Sequence, residues 1–122
     1  MAAYQTKQFK KWNKKSKVPV EKLLAAIKSI DSGLGIVDLG GDLYKVRIAK
    51  NKGKSGDYRT LIIHKKDFRS LFILGFEKNE LDNINDRELK AYKAYSKEFI
   101  SYDDKIIEGM LKNGSLFNLE AL

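Results

Sequence analysis

Cysteine is missing altogether, and histidine occurs only once, at His64, among 122 residues. The first absence rules out a disulfide framework and any thiolate metal site. The second rules out a zinc centre built from histidines, since one imidazole cannot hold the metal alone. No carboxylate cluster suggests a hard cation: Asp82 and Asp86 read as the solvated approach to a helix. A chain with neither cofactor nor metal is expected. No apolar run approaches the ~20 residues that cross a bilayer. The Lys-rich start lacks the apolar segment and small-residue cleavage site of a signal peptide. A cytoplasmic protein with no membrane partner is the corresponding expectation. Repeats, low-complexity tracts and linkers are also lacking, so residues 1–122 read as one domain.

What the chain has is positive charge, unevenly placed. Its formal net charge is +8. Residues 1–17 carry Lys7, Lys10, Lys11, Lys14, Lys15 and Lys17 and no acid. Residues 43–69 carry nine Lys/Arg against Asp57 and Asp67, whereas residues 77–122 carry ten acids against seven bases. Even charge would indicate solubility alone, but two concentrated basic blocks point to a polyanionic partner. The first block also fits a solvated helix face. In the middle block the cations alternate with apolar residues, which places them on strands.

The spacing of apolar residues predicts a short helix over 7–15, with Phe9 and Trp12 on its inner stripe. Pro19 suits the first turn of a second helix, which runs to about Ser32 and stops at Gly33. Together they form an N-terminal helical hairpin. After the Gly40-Gly41 turn, three strands are expected at about 43–49, 58–65 and 69–77, a meander of antiparallel neighbours. Strand alternation places Tyr44, Val46 and Ile48 on one face, and Leu43, Lys45 and Arg47 on the other. Asn85 and Glu88 have capping-box spacing and open a helix to about Ser101. Asp103 or Ser101 caps another, ended by Gly114, and Leu116 to Leu119 adds a short edge strand. The fold class is α+β, with segregated elements and an antiparallel sheet of about three to five strands.

Lys and Arg with almost no other catalytic side chain suit phosphodiester chemistry on RNA. There the 2′-hydroxyl is the nucleophile and the developing charge is negative. Cations aimed at that charge and a group that moves protons are what the reaction needs. Lys45 and Arg47 share a strand face, Arg59 lies near the start of the next strand, and Lys78 follows the third. Neighbour pairing brings these four toward one phosphate-sized spot. Lys50, Lys52, Lys54, Tyr58, Asn79 and Tyr92 are the candidate RNA contacts. The plainer alternatives are a wet sheet face for Lys45 and Arg47, an ion pair with a C-terminal acid for Arg59, and a packed core side chain for Tyr58 or His64. Gly53-Lys54-Ser55 lacks the upstream glycine of a nucleotide-triphosphate loop.

Three short segments, Tyr44-Lys45-Val46-Arg47, Gly56-Asp57-Tyr58-Arg59 and Lys78-Asn79-Glu80, look like the signature positions of the RelE/ParE toxin superfamily. The run from Leu39-Gly40-Gly41 through Lys54 to Thr60, and on to Gly75 to Glu80 and Asn83-Ile84, is similar to a phage-associated, HigB-like branch of RelE toxins. The resemblance spans nearly the whole chain and implies a RelE-like, microbial-RNase-like fold. It implies a ribosome-dependent messenger RNA endoribonuclease, a type II toxin that inhibits translation and is restrained by a cognate antitoxin. That partner often carries a helix-turn-helix, so DNA is contacted only through it. Residue by residue, Lys45 and Arg47 fall on the family's basic strand pair, one of which is the general base in some members. Arg59 falls on the arginine that steadies the transition state. Asn79 stands where well-studied members have a second arginine, with Lys78 beside it. Asn85 stands where a C-terminal tyrosine stacks on a base, a role that passes to Tyr92 or Tyr95. A ParE-like inhibitor of DNA gyrase and a non-catalytic RNA-binding module are the alternatives.

Overall fold

A computed structural model of the protein describes residues 2–50, 56–77 and 84–119. In chain order the elements are β1 (Ala2–Thr6), α1 (Lys7–Ser16), α2 (Val20–Ser32), β2 (Ile36–Gly40), β3 (Leu43–Ala49), β4 (Asp57–Lys65), β5 (Arg69–Glu77), α3 (Asp86–Ser101), α4 (Asp104–Asn113) and β6 (Leu116–Asn118). One six-stranded sheet, ordered β2-β3-β4-β5-β1-β6, carries helices on both faces. The expected α+β class, the meander β3–β4–β5 and the edge strand β6 are all present.

The sheet is wider than the sequence suggested. β1 pairs parallel to β5, whereas β6 pairs antiparallel to β1. β1 reads Ala-Ala-Tyr-Gln-Thr, too short and too poor in β-branched residues to announce itself. Its extended state comes from two flanking partners, not from intrinsic preference. β2 was hidden for a similar reason, since Asp38 and Gly40 break its apolar pattern.

Local chemistry fixes the helical hairpin. The Thr6 hydroxyl accepts from Phe9 N–H and starts α1. Lys17, in the left-handed region at φ 55°, ends it. Asn13 then ties down the connection: its Oδ1 accepts from Val18 N–H at 2.8 Å and its Nδ2 donates to Val18 O at 3.1 Å. Pro19 precedes α2 as its cap, and Gly33 ends it at φ 77°. These helices bury Phe9, Leu23, Ile27 and Ile30 against Val46, Ile48, Ile62 and Phe72. Trp12 lies on Gly75 so closely that any Cβ there would sit 2.3 Å from the indole, which only glycine avoids.

The opposite face carries a second core. Leu43, Leu61, Ile63, Leu71 and Ile73 pack there against Phe99 of α3 and Ile107 of α4. Asn85 caps α3 through Glu88 N–H at 2.8 Å, and the Glu88 carboxylate returns to the Asn85 side-chain amide. Two contacts pin the C-terminal half of α3. Ser96 Oγ donates to Gly41 O at 2.6 Å, and Arg69 Nη1 donates to Phe99 O at 2.9 Å and to Tyr102 O at 2.7 Å. Leu43, Lys45 and Arg47 share this face, as alternation requires. The helices cover the Leu43 end, and the Arg47 end opens to solvent, with its guanidinium side chain 61% exposed.

Candidate phosphate-binding site

The site is built at the open end of that face. Arg47 sits directly opposite Arg59 across the β3–β4 ladder. The Arg47 N–H is directed away from β4, to Gly35 O at 3.2 Å. The two arginines therefore form a non-hydrogen-bonded pair, the kind in which antiparallel side chains approach most closely. Lys45 is two residues along β3 and shares their face. These three cations, with Gly35 and, from β2, Ile36 and Val37, line a cavity of about 350 Å³. Its size suits a small ligand or one nucleotide unit.

Like charges directly opposite on a sheet repel, and one carboxylate offsets them. Asp57, two residues before Arg59 on β4, faces the same side. Its Oδ2 accepts from Arg47 Nη2 at 2.5 Å and from Nε at 3.1 Å, and lies 3.5 Å from Arg59 Nη1. The Arg47 hydrogen bond, helped by the charges of both arginines, holds the Asp57 carboxyl below its ordinary range against the opposing effect of burial. Asp57 is thus an anion at neutral pH and a poor proton acceptor. Three cations against one carboxylate leave two positive charges. Arg59 Nη1 is the buried side-chain atom left without a hydrogen bond among the described residues. Buried donors are normally satisfied, so this one marks a place for an acceptor.

Lys45, Arg47 and Arg59 are thus brought together, while Lys78, Asn79, Lys52 and Lys54 lie outside the described residues. Two expected contacts point elsewhere. Tyr58 neighbours Arg59 on the same strand, so alternation turns it to the other face. It is buried there, edge-on to Trp12 at 5.1 Å between ring centres. Lys50 is on that side too, 3.0 Å from Glu77 Oε1 and over the Tyr58 ring. Neither faces the cavity. Tyr92 packs against the second core without lining the cavity, and burial, with Glu88 nearby, raises its hydroxyl pKa. The Arg59 partner is Asp57, not a C-terminal acid. His64 is buried on the α2 face, with Nδ1 2.6 Å from Ser70 Oγ and Nε2 3.0 Å from Asp31 Oδ1. Substrate has no access to it, and its role is to hold α2 to the sheet.

Asp57 itself was overlooked as a site residue. Its signal was the two-residue spacing from Arg59, which puts both side chains on one strand face. Groups of acids and histidine able to hold a metal are absent among the described residues. No helix among them is long and apolar enough to cross a membrane.

A protein-family model described as the RelE toxin of the RelE / RelB toxin-antitoxin system matches residues 1–119. No curated protein sequence matches the chain.

Proposed function

The chain belongs to the RelE toxin family of toxin–antitoxin systems, and from that membership we propose that it is a metal-independent endoribonuclease that cleaves messenger RNA on the ribosome. The observation that carries this reading is the under-neutralised trio Lys45, Arg47 and Arg59 around one cavity. A phosphodiester bears one negative charge, and the phosphorane-like state formed by 2′-oxygen attack bears two. Once Lys45 has taken the 2′-hydroxyl proton, the residual charge of the cavity matches the latter, so stabilisation grows as the reaction proceeds. Arg59, whose buried Nη1 makes no hydrogen bond, is assigned to the non-bridging oxygens. Arg47, more exposed, meets the incoming backbone. A guanidinium stays protonated in proteins, so proton transfer at the 2′-hydroxyl falls to Lys45, whose amine reacts unprotonated, takes that proton and becomes the third cation as charge develops on the phosphate. Attack by that oxygen breaks the bond to the 5′-oxygen, which takes a proton from solvent water, and leaves a cyclic phosphate and a free 5′-hydroxyl.

Restraint is assigned to a cognate antitoxin, with a helix-turn-helix of its own for DNA. Lys78 and Asn79 are proposed to complete the substrate contacts, and Lys52 and Lys54 to meet RNA phosphates beside them. The test is cleavage of messenger RNA in a translation extract, with and without a metal chelator, and a supercoiling assay on DNA gyrase run alongside. New 5′-hydroxyl RNA ends that persist with chelator and vanish in Arg59→Ala support the reading. Intact RNA with arrested gyrase would sink it in favour of the ParE-like alternative.

A further inference from the structure

We propose that Asp57 is a positioning residue, a resident counter-ion that holds Arg47 and Arg59 aligned in the empty site and competes with phosphate for them. The inference rests on the phosphate-binding reading of the cavity, though not on cleavage itself.

Two guanidinium groups on a non-hydrogen-bonded cross-strand pair would swing apart if left alone. Asp57 prevents this by engaging both through one oxygen, Oδ2. The engagement is lopsided. Arg47 gives Asp57 both Nε and Nη2, whereas Arg59 Nη1 stands 3.5 Å off and makes no hydrogen bond. Arg47 is thereby fixed in orientation, and Arg59 is held close to an anion without being satisfied by it. An arriving phosphate oxygen finds a donor already desolvated and aimed, which is what preorganisation means here. The same carboxylate repels that phosphate. Its repulsion grows with the charge on the phosphate, so what Asp57 contributes to the reaction is alignment and not charge. Asp57 therefore loosens phosphate binding while it keeps the two guanidinium groups in the geometry that the reaction uses.

The roles separate in Asp57→Asn, which keeps shape and removes charge. Inorganic phosphate is the probe, read by calorimetry and by thermal unfolding at low salt, with RNA turnover measured in parallel. Asp57→Asn should bind phosphate about tenfold more tightly than the unaltered protein, the scale of one partly screened charge. Its melting temperature should fall in phosphate-free buffer and recover as phosphate replaces the missing anion. KM for RNA should fall through the lost repulsion, and kcat should fall through the lost alignment of the two guanidinium groups. Should that variant not fold, Asp57→Asn in an Arg47→Gln background removes the repulsion. There the stability loss should disappear, while phosphate still binds more tightly than to Arg47→Gln alone. Unchanged or weaker phosphate binding, or a melting loss that phosphate does not repair, overturns the proposal. Tight phosphate binding without any RNA cleavage by the unaltered protein supports the role of Asp57 and refutes the nuclease reading instead.

Discussion

Arg69 and Arg59 occupy the same face of the same sheet, at opposite ends, and differ in almost everything else. Arg69 is 3% exposed and spends Nη1 on the Phe99 and Tyr102 carbonyls, with the Phe68 ring 4.1 Å away and Asp104 at 3.6 Å. It ends α3 by satisfying carbonyls that the helix leaves open. Arg59, its side chain 18% exposed, has a buried nitrogen with no acceptor and another arginine across the ladder. A cation that is fully answered by its surroundings holds a fold together. One that is answered only by a shared ion pair, with a donor left over, costs stability, and the cost is tolerable where a ligand takes up that donor.

The sharpest way to break this contrast is to exchange the effects of the two residues. Arg59→Ala should lower the rate of the proposed cleavage by about 10²–10³-fold and leave the urea midpoint nearly unchanged. Arg69→Met should do the reverse. It strands two carbonyls beneath α3 and α4 and should destabilise the protein by about 2–4 kcal/mol, measured by urea unfolding, with activity per folded molecule retained. Loss of cleavage in folded Arg69→Met, or unfolding in Arg59→Ala, would erase the distinction. Ser96→Ala tests the covered end more gently. Losing the bond to Gly41 O should cost about 1 kcal/mol without touching phosphate affinity. The smallest effect is pH-dependent. Asp57 has a depressed folded pKa, so its contribution to stability is present above about pH 3.9 and disappears as the pH falls through the lower folded value. Melting curves across that acid range should show a step that is absent in Asp57→Asn.

Much of the open end was legible in the sequence because strands have a strict period of two. That rule correctly grouped Lys45 with Arg47 and separated them from Tyr44, Val46 and Ile48. The same rule bore on Tyr58. As the neighbour of Arg59 it could not share the cavity, and the motif that joins them in sequence concealed their opposite directions. What alternation cannot supply is register. The several polar residues that separate β3 from β4 in the sequence fit more than one pairing, so the face-to-face meeting of Arg47 and Arg59 was not readable. The role of Arg69 was hidden too, because its acceptors are backbone carbonyls about thirty residues away, and carbonyls carry no sequence signal. The parallel pairing of β1 was hidden by distance, with Ala2 opposite Arg69.

That pairing has a consequence in time. β1 is made before every other strand of the sheet, yet it sits between β5 and β6, the last two. While the middle of the protein is being made, β1 has no neighbour, and once β5 appears its outer edge waits for β1 to return. Closing that long loop belongs to the slow, high-separation class of folding steps, and Leu119 N–H to Ala3 O at 2.9 Å is among its final bonds. The segments that bear β1 and β6 must therefore both be made before this sheet is whole, however much of its middle is already in place.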